Sequence, residues 1–350
     1  MTSSRRSLRS LPPNETLDLG GGLSLTPRLK LLLTFFRADL SIKPLDEWQL
    51  KHSLLSFLRS SSSIPVSDDG DLLLHRFPDL HKRKRGEPVA SGTLFIRDFS
   101  FLKTPKRDNS DEEEDDDALS KKFSEWRSSV LEKLSGIELN LEGVKFRMTV
   151  EIPMSDDFGR MKKSWEDSYA SQFLDGRRSS VRGGVRWPDT IIVQGVPSRW
   201  FAEPRVSSKA SMLVTHTIFS ALGKIRNLNI TGDDDLSKKE DEAKGEIVSG
   251  LNCKVLVQFE NYDDFYNAMK VLCGRSMQKQ GSRLKVDYEV NWDRNGYFRS
   301  VQQKPATSHR QERGGSDQML TGRIRNEAIA HQAQFTDFDS DGSRRKRFRD

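Results

Sequence analysis

NCKVLVQF, Asn252–Phe259, is the stretch on which the reading of the fold turns. Cys253, Val255, Val257 and Phe259 share one parity and form the apolar face of a half-buried strand, leaving Lys254, Leu256 and Gln258 on the other side. The flanking sequence supplies the rest of a unit. PDTIIVQGVP (Pro188–Pro197) predicts a first strand, and Val214, Ile218, Phe219 and Leu222 predict a helix ending at Gly223. KIRNLNI (Lys224–Ile230) reads as a second strand. NYDDFYNAMKVLCG (Asn261–Gly274) follows NCKVLVQF as a helix with Phe265, Ala268, Met269 and Leu272 inward, and RLKVDYEV (Arg283–Val290) as a fourth strand. The order is strand, helix, strand, strand, helix, strand.

The same order occurs earlier. RLKLLLTFF (Arg28–Phe36) is a strand, and Leu50, Leu54, Phe57 and Leu58 recur at helical spacing with Pro44 in the first turn. SIPVSDDGDLLLHRF (Ser63–Phe77) and GTLFIRDFSFL (Gly92–Leu102) read as two strands joined by a KRKR loop. After the acidic run Asp111–Asp117, Leu119, Phe123, Trp126, Val130 and Leu134 make one helical stripe, and GVKFRMTVEI (Gly143–Ile152) closes the unit. The fold class expected is therefore α+β: tandem ferredoxin-like βαββαβ domains at 28–152 and 188–294, the first with an acidic insertion at 108–117. Residues 153–187 join them through a helix bearing Met161, Trp165, Tyr169 and Phe173, followed by a basic linker. Residues 1–27 and 295–350 read as disordered basic ends.

Composition narrows the function classes. The chain has 350 residues, 35% of them hydrophobic and 31% charged, and a formal charge of +6, which permits a nucleic-acid partner without requiring one. Two cysteines, Cys253 and Cys273, and six scattered histidines offer no zinc-ligand spacing, so no metal or other cofactor is expected. No nucleophile–base or phosphate-loop arrangement points to an enzyme. No apolar run reaches the roughly 18–20 residues that span a bilayer, so no membrane association is expected. Lys82, Arg83, Lys84 and Arg85, with Arg344, Arg345, Lys346 and Arg347, form two nuclear-import patches.

The outer face of NCKVLVQF carries the functional question. In RNA-recognition domains the third strand reads K/R-G-F/Y-G/A-F-V-x-F/Y, and two aromatics on its open face stack on bases. Aligning the shared V-x-F ending puts Lys254 and Leu256 at those positions, and Ile192 at the stacking position of the first strand. Stacking contributes about 1–3 kcal/mol per base, so base capture by this sheet alone is weak. Gln194, Asn227, Asn229 and Gln258 can still hydrogen-bond bases, Arg226 and Lys254 can meet phosphates, and Lys285 and Asp287 are placed beside them. Arg177, Arg178, Arg182 and Arg186 in the linker offer salt-dependent RNA affinity. Two other occupants fit the same face: a protein on the apolar pair Ile192 and Leu256, or the chain itself, with Trp292, Tyr297 or Phe298 folding back. Trp200 and Phe201 read as loop anchors.

PDTI, the G-x-P-x-x-W-F element at Gly195–Phe201, LGKIRN and V-Q-F resemble the A-kinase anchor protein 17A family of arginine/serine-rich splicing factors. The resemblance runs from about Arg28 to Asn291. It implies a nuclear, speckle-associated protein with an atypical RNA-recognition domain that regulates alternative pre-mRNA splicing and meets splicing-factor proteins. The alternative reading is a protein scaffold without direct RNA binding. The resemblance further implies anchoring of the protein kinase A regulatory subunit, which the animal family member achieves through amphipathic helices in a long charged extension; this sequence reads as a short form without one, which puts anchoring in doubt.

Overall fold

A computed structural model describes residues 8, 11–38, 46–60, 64, 66, 69–78, 86–102, 112–141, 143–174, 187–203, 209–232 and 252–302. The chain opens with strands β1 (Leu17–Gly20) and β2 (Leu23–Pro27), then β3 (Leu29–Arg37), α1 (Glu47–Ser60), β4 (Leu72–Arg76), β5 (Ala90–Ile96), α2 (Glu112–Leu134), β6 (Glu138–Leu141) and β7 (Val144–Glu151). Helix α3 (Phe158–Leu174) leads to β8 (Thr190–Pro197), α4 (Met212–Phe219), β9 (Ile225–Gly232), β10 (Asn252–Phe259) and α5 (Tyr262–Leu272). The short strands β11 (Arg275–Lys279), β12 (Lys285–Val286) and β13 (Glu289–Trp292) precede helix α6 (Tyr297–Gln302).

Three antiparallel sheets result. One runs β4-β5-β3-β7-β6 and another β13-β8-β10-β9. Numbered within its own βαββαβ run, the second has the order 4-1-3-2, and the first has it too with β6 added at the edge. Both are compatible with a ferredoxin-like arrangement. Each sheet buries one face. Leu31, Leu33 and Phe35 of β3 and Phe146 and Met148 of β7 pack against Leu50, Leu54, Leu55 and Leu58 of α1 and against Val130 and Leu134 of α2. Leu55 replaces Phe57 in the fully enclosed set, because Phe57 sits at the margin of that core. The acidic run from Glu112 falls within α2 rather than before it.

Around β8 and β10 a second core gathers Ile191, Val193, Val255, Val257 and Phe259 with Phe265 and Met269 of α5. Helix α3 closes it: Trp165 is fully enclosed, with its ring 5.3 Å from that of Phe265, and Tyr169 lies 6.0 Å from Trp292.

Two expectations are corrected here. Residues 1–27 are not uniformly disordered, since Leu17–Pro27 forms a β1–β2 hairpin whose three-glycine turn takes positive φ throughout. Strand β2 then pairs with β11, Leu25 opposite Met277, giving a third sheet β1-β2-β11-β12. Leu19, Leu23 and Leu25 enter the second core, which explains why the hairpin orders. The Arg275 guanidinium donates to the Pro12 carbonyl at 2.8 Å and holds the preceding turn. The fourth strand is likewise not Arg283–Val290. That run is split because Asp287 is drawn into an ion cluster, so Lys285–Val286 pairs with β11 and only Glu289–Trp292 joins β8.

That cluster ties the three sheets together. Arg28, between β2 and β3, is buried and donates to Asp156 at 2.7 Å, with its Nε 2.9 Å from Asp287. Arg97 donates to Asp71 at 2.8 Å, to Asp287 at 3.0 Å and to the Ser276 hydroxyl at 2.7 Å. Both guanidiniums face the Phe95 ring. Residues through Lys304 form one compact unit.

Candidate functional site

The site is built by the register of β10 against its two neighbours. Leu256 lies between Ile192 of β8 and Asn229 of β9, Gln258 between Thr190 and Asn227, and Lys254 between Gln194 and Thr231. Three cross-strand rows therefore present to the face opposite the core, as the alternation predicts. The β8 side of the rows is kept in phase by a bulge: Val196 pairs with Cys253 and Gln194 with Lys254, leaving Gly195 unpaired at φ 94°. Glycine adopts that backbone without the Cβ conflict any other residue meets. Just beyond, Trp200 and Phe201 are core residues, Phe201 packing 6.0 Å from Phe219, so the G-x-P-x-x-W-F element shapes and anchors the end of β8.

The face is not open along its length. Leu256 is 3% exposed and Gln258 5%, although both point away from the second core, which does not include Leu256. The expectation that these two are solvent-facing is thus corrected. Gln258 is spent internally: Asn227 Nδ2 donates to its Oε1 at 2.7 Å, and its Nε2 donates to Asp189 at 2.9 Å. Asn229 Nδ2 donates to the Tyr297 hydroxyl of α6 at 2.8 Å. Arg299 of α6 stands 3.7 Å from Asp189, so the short helix reaches both β9 and the start of β8. Asp293 holds the beginning of α6 by accepting from the N–H groups of Asn295, Gly296 and Tyr297. Order therefore continues past Asn295, because this carboxylate satisfies amides that a helix N-terminus leaves without partners.

The other predicted residues separate. Ile192 is half-buried in the central row, and Gln194 is exposed and donates to Glu289 at 3.1 Å. Arg226 lies at the rim and donates to the Glu260 carbonyl. Lys254 is half-buried, with its carbonyl accepting from the Thr231 hydroxyl. Lys285 belongs to β12 and Asp287 to the ion cluster, so neither lines this face. Arg177, Arg178, Arg182 and Arg186, the patch at 82–85 and the patch at 344–347 lie outside the described residues. Asp189, which joins Gln258 to Arg299, is missed by sequence reasoning. Its only signal is an acid directly before a strand.

Chemically, the site has an apolar row, an amide ladder and the carboxylates of Asp189 and Glu289. Among the described residues no group of three His, Cys, Asp or Glu side chains could hold a metal. No helix among them is long and apolar enough to cross a membrane.

The model of the AKAP-17A-like RNA-binding domain matches residues 119–328, more than half of the chain and all of the β8–β10 face. The chain belongs to the AKAP-17A-like family. Human A-kinase anchor protein 17A is 26% identical over 189 residues, which is 51% of this chain and 25% of that protein, so the chain spans about a quarter of the relative's length. Among solved structures, a Cas6 mutant covers 77% of this chain and 100% of its own at 9% identity, with a TM-score of 0.25 that carries no argument.

Proposed function

We propose that this protein is a nuclear RNA-binding adaptor in pre-mRNA processing, acting in the regulation of alternative splicing, and that it is built of two ferredoxin-like units at 28–152 and 188–294. In this reading the second is an atypical RNA-recognition domain. The observation that carries it is the match of residues 119–328 to an RNA-binding family, together with a 4-1-3-2 sheet whose outer face bears Ile192, Lys254 and Leu256 at the stacking positions and Gln194 and Asn229 beside them. Without rings the sheet contributes hydrogen bonds rather than stacking. The arginines at 177–186 add a salt-dependent, sequence-independent attraction to phosphates. The basic patches at 82–85 and 344–347 support nuclear import.

A second reading, a scaffold for splicing-factor proteins, draws on one feature. The apolar pair Ile192 and Leu256 shares its row with Asn229, to which a helix is tied, and a helix laid on an apolar row is one mode by which a partner peptide binds. The two readings separate when the full chain is titrated into fluorescent single-stranded RNA at 50 and 200 mM salt and crosslinked peptides are mapped in cells. Crosslinks at Lys254 or Gln194 support the sheet. Crosslinks at 177–186 support the linker. No affinity at low salt leaves the scaffold.

A further inference from the structure

We infer that α6 is a built-in competitor for RNA, engaging Asn229 of β9 and Asp189 beside β8 and leaving when single-stranded RNA arrives. The inference rests on the RNA-binding reading above.

Three observations meet at this place. The half-buried Asn229 amide donates to the Tyr297 hydroxyl, an acceptor oxygen like the carbonyl oxygen of a pyrimidine or guanine. Leu256, in the same row as Asn229, is buried although it faces away from the core. Arg299 lies near Asp189, a carboxylate that would repel phosphate. Tyr297 thus supplies to this face an aromatic ring and a polar oxygen together, the two properties a base would bring.

The helix is held lightly enough to be displaced. Six of its residues are described, and its start depends on Asp293, whose carboxylate accepts from the N–H groups of Asn295, Gly296 and Tyr297. Its polar ties to the sheet include an exposed hydrogen bond and an ion pair at 3.7 Å with both side chains partly in water. Apparent RNA affinity is reduced by the fraction of molecules in which the face is uncovered, so weakening the helix raises affinity in proportion. Removing one such hydrogen bond and one screened ion pair shifts that balance about tenfold.

The test uses the full chain with the paired substitutions Tyr297→Phe and Arg299→Gln, and separately Asp293→Ala, which melts the start of α6 without touching the sheet. Affinity for a random-sequence single-stranded RNA is read by fluorescence polarisation, and amide exchange of residues 297–302 by mass spectrometry. Both variants are expected to exchange faster in α6 and to bind RNA about five- to tenfold more tightly. Saturating RNA is expected to accelerate α6 exchange in the unaltered chain. Unchanged affinity beside accelerated exchange overturns the competition while leaving RNA binding intact. Weaker binding by both variants overturns it by making α6 part of the RNA surface. Absence of RNA binding in every protein, variants included, refutes the RNA reading and this inference with it.

Discussion

Replacing Arg28 by alanine should be among the most damaging single changes outside the hydrophobic cores. The guanidinium is buried, donates to Asp156 at 2.7 Å and to the Tyr288 carbonyl at 3.3 Å, has its Nε 2.9 Å from Asp287 and faces Phe95. Truncation leaves the Asp156 carboxyl, whose side chain is 3% exposed, without its cation. Breaking a buried pair from one side costs about 3–5 kcal/mol, a large share of a stability of about 5–15 kcal/mol. The loss should depend on pH with a definite sign. Burial holds the Asp156 carboxyl above the ordinary range even against the pull of Arg28, so the folded state protonates it more readily than the unfolded chain does. Its contribution to stability is accordingly full below the unfolded value and lost as pH rises through the raised folded value. Without Arg28 the carboxyl rises further, and the variant recovers stability on acidification as the uncompensated charge is neutralised. Asp287 behaves oppositely. Burial there is outweighed by Arg28, Ser276 and Arg97, which hold it low, so its stabilisation is present above the unfolded value and disappears as pH falls through the depressed one. Urea unfolding followed by circular dichroism at pH 7.5 and 5 measures the Asp156 effect, and extending the series to about pH 3 measures that of Asp287. A loss under about 1 kcal/mol at pH 7.5, or a loss that grows on acidification, refutes the reasoning.

Other consequences are as direct. Gly195→Val places a β-branched residue at φ 94° inside the β8 bulge and should lower stability by about 1–3 kcal/mol in thermal melts. Cys253 and Cys273 are both buried, and burial pushes the Cys273 thiol up, so native protein should resist a thiol reagent at pH 8 until denaturant exposes both groups. Exchanging Arg177, Arg178, Arg182 and Arg186 for serine should reduce the slope of log affinity for single-stranded RNA against log salt by about 3, at about 0.7 for each phosphate no longer neutralised; an unchanged slope removes the linker from the interface.

Local patterning made much of the fold legible. NCKVLVQF becomes β10 at the bounds its alternation predicts, and the Trp165 stripe becomes α3 because periods of two and near four report burial directly. Legibility ends where long-range polar contacts decide. Nothing near Arg28 or Asp287 in sequence announces that they meet 2.9 Å apart, and that meeting splits the expected last strand. At the candidate site, alternation places Leu256 and Gln258 on the outer face but cannot show that both are buried there or that Gln258 is spent on Asn227 and Asp189. The hairpin at Leu17–Pro27 left a clue in its three glycines between alternating leucines, overshadowed by the polar residues before it.

That hairpin has a consequence for biosynthesis. The ribosome releases Leu25 long before Met277, its partner across the sheet, has been made, so β2 waits through most of translation for the strand that completes it. Contacts so distant in sequence slow folding and leave unpaired strand edges exposed meanwhile. A recombinant fragment cut to residues 119–328 would never receive the missing strand: it would lack Leu23 and Leu25 and present β11 as a raw edge. Poor solubility of such a fragment would then report an amputated sheet rather than an unstable RNA-binding domain.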